Sequence, residues 1–246
     1  ILVFYVPLTY MSASSQVLRM SGAREIKKED HPQLFGIVEE LTIAARLPMP
    51  KIYIVNDPSP NAFATGIKPE KSVVAFTTGL LDTLNREELA GVVAHELAHI
   101  RNYDIRLMTI CIALVGVIAI LANLGSRMLF LGGGRRGNRK ANPALLIIAM
   151  LFVILAPLAA QFVRFAVSRN REYLADATAV EYTRNPVGLI NALKKISGDP
   201  RDVKHAQAAT ASMYICRPIG KKRKKRRNLL ATHPPIESRI ERLEKM

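Results

Sequence analysis

Two long stretches of the chain carry no charged residue, Leu107 to Ser126 and Ala144 to Val163. Each is long enough to cross a hydrocarbon layer of about 30 Å as a helix rising about 1.5 Å per residue. Between them, Gly132, Gly133, Gly134, Gly137, Asn138 and Pro143 read as a turn, so the pattern predicts a transmembrane helical hairpin over 107–166. Pro157 lies inside the second stretch and is expected to kink rather than end it. A third uncharged run, Ile1 to Leu18, is interrupted by Pro7 and turns polar at Ser12. It is read as the end of an N-terminal membrane helix, over 1–20, and lacks the basic leader of a secretory signal.

The remaining chain has shorter periods. Leu34, Ile37, Val38, Leu41, Ala44 and Ala45 recur at helical spacing, with Asp30 expected as the cap and Pro32 in the first turn. Lys51–Val55, Asn61–Gly66 and Ser72–Thr77 read as strands separated by turn residues, forming a small antiparallel meander. Its free edge could take an extended peptide as one more strand, or the sheet could be purely structural. Asn85-Arg86-Glu87-Glu88 resembles a capping box that starts a helix near Arg86. Asn102 and Asp104 weaken that helix, but nothing forces it to stop before Leu107. A helix follows the second apolar stretch, broken at Asn185-Pro186. An amphipathic helix over Val187–Ile196, a helix around Ala206–Tyr214 and a charged C-terminal helix complete the chain. The fold class predicted is mainly α with a small antiparallel β-meander, integral to a membrane. One catalytic domain, 21–106 and 167–246, is split by the hairpin.

The chemistry is concentrated in His95-Glu96-Leu97-Ala98-His99. Residues four apart lie on one helix face, so His95 and His99 can share a metal ion with Glu96 beside it. Gly91, Val92, Val93, Ala94, Leu97, Ala98 and Ile100 make this helix apolar almost all round. Two histidines and a glutamate on a buried helix are costly without partners, and a metal is the simplest one. Glu172 is the candidate third ligand, completing a two-His-one-Glu zinc site. Asp176, one turn on, is placed to accept the outer N–H of a ligand imidazole. The competing reading makes both carboxylates surface groups paired with Arg169 and Arg171. Position favours the metal: His99 lies eight residues before the first apolar stretch and Glu172 nine after the second. If both helices run on unbroken, each ligand stands roughly 12–14 Å from the hydrocarbon edge, on one side of the hairpin.

The formal net charge is +15, with a run from Lys221 to Arg227 and a second group at Arg135, Arg136, Arg139 and Lys140. Such runs are solvated loops or contacts to anionic lipid head groups. No aromatic stacking pattern accompanies them, so nucleic acid is not expected as a partner. Four basic residues in the hairpin loop leave the orientation unsettled by charge. The two cysteines, Cys111 and Cys216, imply no disulfide framework. His31 and His205 read as surface residues. His233 and Arg239 are candidate donors to a carbonyl oxygen as it becomes negative, or plain surface residues.

Together, His95-Glu96-Leu97-Ala98-His99, the stretch Ser168 to Asp176, Asn61 to Gly66 and Thr232 to Ile240 resemble the HtpX-type membrane zinc endopeptidases. These are relatives of the CAAX-processing membrane proteases. The resemblance covers nearly the whole chain and implies a gluzincin-like domain holding one Zn2+ on His95, His99 and Glu172. It further implies Glu96 as catalytic base and Asp176 as support for a ligand. Asn61, with Ala62 and Phe63, would hold the substrate backbone, and His233 and Arg239 would stabilise the tetrahedral intermediate. The partners implied are misfolded or membrane proteins and the lipid bilayer. The place implied is the bacterial or archaeal plasma membrane, in quality control and stress response, with the catalytic site on the cytoplasmic side. The family has two apolar N-terminal segments where only part of one is seen here, and the basic run Lys221 to Arg227 is heavier than its pattern requires. A prenyl-peptide-processing protease and a non-enzymatic metal-bearing membrane scaffold or lipid-binding adaptor stand as alternatives.

Overall fold

The computed structural model describes residues 2–111, 118, 169–204, 206, 210–216, 218 and 234–246. The expected hairpin lies almost entirely outside these residues, as do His205, His233 and the basic run Lys221 to Arg227. Helix α1, Leu2–Ser21, opens the chain. Among the described residues no helix is long and apolar enough to cross a membrane.

Strand β1 (Ala23–Glu25) leads to α2 (Pro32–Ala45), then β2 (Lys51–Val55), β3 (Ala62–Thr65) and β4 (Val73–Thr77). Pro32 occupies the first turn of α2 as expected, but the cap is His31, whose Nδ1 accepts from Leu34 N–H at 3.2 Å. Asp30 instead accepts from Lys27 N–H. The sheet is mixed, not an antiparallel meander. Its order is β1-β2-β4-β3, with β2 parallel to β4 and the other two pairs antiparallel. All of β3 and β4 is buried, which explains why both strands are apolar at nearly every position. Side chains still alternate. Ile52, Ala62, Ala64, Val74 and Phe76 face the main helical core, while Val55, Phe63, Val73 and Ala75 face Val17, Leu18 and Tyr214.

A short helix α3 (Thr78–Thr83) joins the sheet to α4, Arg86–Arg101. Asn85 and Glu88 form the predicted capping box reciprocally, at 2.9 Å each way. Helix α4 does not run on to Leu107. Asn102 caps it, Tyr103 adopts φ 58°, and a new helix, α5, covers 104–111. The stalk on this side is therefore broken one residue before Asp104. After the residues not described come α6 (Arg169–Thr183), α7 (Pro186–Gly198, capped by Asn185) and α8 (Ile236–Leu243). Residues 210–213 form a turn rather than the helix expected around Ala206–Tyr214.

Helix α4 is the centre of the molecule, with α2, α6 and α7 packed around it and β3 alongside. Its approach to α7 is limited by backbone. A Cβ on Gly91 would lie 2.7 Å from Leu189 N, and one on Gly188 2.6 Å from Glu87 O. A glycine on each helix, set against the backbone of the other, lets α4 and α7 pack closely.

Candidate metal centre

The first three sequence-predicted ligands meet. His95 and Glu172 are buried and His99 is partly buried, and one donor atom from each lies within 4.8 Å of the others. The imidazoles stand nearly perpendicular, at 88°, with Nε2 to Nε2 at 3.2 Å. Glu172 Oε1 lies 3.6 Å from His99 Nε2.

The outer nitrogens explain this arrangement. His95 Nδ1 is 3.0 Å from Asp176 Oδ1, as the one-turn spacing from Glu172 predicts. His99 Nδ1 is 3.0 Å from Asp104 Oδ2. With each Nδ1–H donating to a carboxylate, both Nε2 atoms carry lone pairs and point at one another. When both rings are neutral these lone pairs repel across 3.2 Å, so a cation must stand between them, either a proton on His99 Nε2 or a metal ion that displaces it. Two imidazoles with one carboxylate are the donor set of a catalytic zinc ion. The residues fit the metal.

Asp176 is itself held. Arg239, 0 % exposed, donates from Nε to Asp176 Oδ2 at 2.8 Å and from Nη2 to Asp176 Oδ1 at 2.6 Å. Its Nη1 donates to Ile215 C=O at 2.9 Å and lies 3.6 Å from Glu172 Oε2. Burial alone would raise the Asp176 carboxyl, but Arg239 and His95 hold it down to about 2. Burial, with the Arg239 charge, depresses His95 to about 4 and so favours the neutral imidazole a metal needs. Glu96 is the opposite case. Burial first, then the Glu172 charge, lifts it to about 7, against His99, Arg239 and a hydrogen bond from Ala64 N–H. Its Oε1 is buried and accepts no hydrogen bond. A small cavity of about 40 Å³ opens on Glu96, His99 and Glu172, walled by Ala64, Ile105, Met108 and Met213.

Asn61 lies at the start of β3. Its side chain is directed at residue 216, with Nδ2 donating to Cys216 C=O at 3.0 Å and Oδ1 accepting from Cys216 N–H at 3.4 Å. Ala62 C=O accepts from Ile215 N–H at 3.0 Å, and Phe63 forms an antiparallel bridge with Tyr214. The β3 edge expected to be free is thus partly occupied by the chain itself.

The sequence reading missed Asp104 as the partner of His99, and residues 214–216 as the cover of β3. Asn102 and Asp104 are turn-favouring residues between apolar runs, the signal that could have shown a break.

The sequence profile of Peptidase family M48 matches residues 28–246. The chain belongs to peptidase family M48. A "Protease HtpX homolog" of Listeria monocytogenes serotype 4a (strain HCC23) is 55 % identical over 254 residues, covering 99 % of this chain and 83 % of that protein. One from Ligilactobacillus salivarius (strain UCC118) is 50 % identical over 256 residues, covering 100 % and 85 %. The crystal structure of S. mikatae Ste24p superposes with TM-score 0.57 at 18 % identity, over 98 % of this chain and 57 % of that one. That likeness is one of fold. This M48 protein is a zinc metalloendopeptidase of the HtpX type, and His95, His99 and Glu172 are its metal site.

Proposed function

We propose that this M48 peptidase cuts misfolded or membrane proteins at the cytoplasmic face of a bacterial or archaeal plasma membrane, in quality control under stress. The apolar stretches at Leu107–Ser126 and Ala144–Val163 anchor it, and Lys221 to Arg227 rests on anionic head groups. Zinc, when bound, supplies Lewis acidity toward a water and the scissile carbonyl. The protein does the rest. Asp176 and Asp104 fix the imidazole tautomers, and Arg239 fixes Asp176. Glu96 takes the proton of the attacking water on Oε1 and returns it to the leaving amine. Asn61, Ala62 and Phe63 hold the peptide as a strand on β3, and His233 donates to the carbonyl oxygen as charge develops on it, joined by Arg239 once its Nη1 leaves Ile215 C=O.

The observation that carries this reading is Glu96 itself. A buried carboxylate with an unbonded oxygen, opening on the same cavity as His99 and Glu172, has no structural task. Glu96→Gln is expected to keep zinc at the wild-type stoichiometry and to lose cleavage of a fluorescent casein by at least about a hundredfold. Retained proteolysis with retained zinc removes Glu96 from the mechanism.

A further inference from the structure

Asn61 and Arg239 lie far apart in the chain, yet they bind the backbone of two adjacent residues, Cys216 and Ile215. Ile215 C=O accepts from Arg239 Nη1, and Ile215 N–H donates to Ala62 C=O. Both polar groups of the Cys216 backbone are bonded to the Asn61 amide. Tyr214 is bridged to Phe63, their rings edge to face with centroids 5.1 Å apart. The contact is a short antiparallel bridge to the β3 edge, with one backbone–backbone bond, extended by the Asn61 and Arg239 side chains to the next main-chain groups. Tyr214, Ile215 and Cys216 are 0 %, 2 % and 3 % exposed.

Just upstream, Ser212 and Met213 line the cavity that opens on Glu96 and His99. That cavity, about 40 Å³, has room for about two or three waters. Sites that enclose a ligand run to about 300 Å³ or more. A peptide that pairs with the Ala62–Phe63 end of β3, beside this cavity, meets residues 214–216 already bonded there.

We propose that residues 212–216 are an internal stand-in for the substrate strand, which a peptide must displace to enter the site. The inference rests on the peptidase reading above and adds its regulation. The stand-in makes with Ala62, Asn61 and Arg239 the backbone bonds that an extended peptide of any sequence can make. It also buries one apolar β-branched side chain, Ile215, in the main core cluster. The enzyme is therefore latent until a chain unfolded enough to offer an extended, apolar-bearing strand competes for the same bonds. A folded protein, whose strands are already paired, does not compete.

The test is to tether the stand-in and measure peptide binding apart from cleavage. Phe63 and Tyr214 are a bridged pair of opposed residues, the geometry a cross-strand disulfide requires. Phe63→Cys with Tyr214→Cys is made in the full chain carrying Cys111→Ser, Cys216→Ser and Glu96→Gln, loaded with zinc. Binding of a fluorescein-labelled unfolded casein fragment is followed by anisotropy, oxidised and then reduced. Oxidised protein is expected to bind at least tenfold more weakly, with reductant restoring affinity and zinc content unchanged. Equal binding in both states overturns the proposal. A second variant needs no new disulfide. Ile215→Pro removes the N–H that holds the stand-in to Ala62, and is expected to tighten binding roughly fivefold, the worth of one hydrogen bond. Unchanged or weaker binding by a folded Ile215→Pro also overturns it. Cleavage by the matching proteins with native Glu96 reports separately on the peptidase reading.

Discussion

The two ligand imidazoles, one helical turn apart and in contact, have different surroundings. His95 belongs to the interior. Its partner Asp176 is gripped twice by Arg239, and the whole chain of three groups is shielded from water. His99 belongs to the rim. Its side chain is 15 % exposed, its partner Asp104 13 %, and Arg171, whose Nε stands 3.5 Å from Asp104, 31 %. Burial lowers both imidazoles. At His99 it is outweighed by Asp104, Glu172 and Glu96, which hold that ring up at about 9, whereas His95 falls to about 4. One task, presenting Nε2 to a metal, is carried out twice. Inside, the orienting carboxylate also holds the core together. At the rim it is a clip that the fold could lose.

The largest break in this comparison is expected on the inner side. Arg239→Met leaves Asp176 buried with His95 but without its cation. Breaking one partner of a buried pair costs about 3–5 kcal/mol, because the remaining charge is uncompensated. The metal-free protein should lose about that much stability in urea unfolding. A loss below about 1 kcal/mol would mean that Asp176 is solvated or repaired, and that the interior is not organised as described.

How much of this was legible beforehand follows the same division. His95, His99, Glu172 and Asp176 stood out because helical spacing alone puts 95 with 99 and 172 with 176. The capping box at Asn85–Glu88 was likewise local. The parallel pairing of β2 with β4 was not, since short apolar runs announce burial but not direction. What they did carry was the near absence of polar residues in Val73–Thr77, the mark of a strand covered on both faces. Asp104 was hidden by the helix rule itself. In an unbroken helix, residues five apart point some 140° away from each other, so Asp104 could not reach His99. Only the left-handed turn at Tyr103 folds it back. That conformation costs a non-glycine residue about 1–2 kcal/mol, and it leaves no signature beyond the turn-favouring residues on either side.

That turn makes the next prediction. Asp104→Ala should leave the stability of the metal-free protein within about 1 kcal/mol of wild type, because the pair is partly solvated. Its effect belongs to the metal. Loss of a carboxylate behind a ligand imidazole weakens metal binding by about 10–100-fold. Competition with a chromophoric chelator measures the zinc affinity, and the visible spectrum of the cobalt-substituted protein reports the altered ligand field. Asp104→Asn, which keeps an acceptor oxygen, should recover part of the loss. Wild-type affinity in Asp104→Ala would reduce the clip to a packing contact.

The smallest effect is expected one step further out. Arg171 approaches Asp104 at 3.5 Å from the first turn of α6, next to the ligand Glu172. It thereby links the broken stalk of α4 and α5 to the stalk that supplies the third ligand. An ion pair this exposed is worth about 0–1 kcal/mol and is screened by salt. Arg171→Gln should therefore weaken zinc binding by no more than about fivefold at low ionic strength, and the difference from wild type should fade near 1 M salt. His95 supplies the contrast, because its orienting chain lies where salt does not reach. A variant at Arg171 that loses as much affinity as Asp104→Ala, at any ionic strength, would move the rim clip inside and erase the distinction between the two halves of the site.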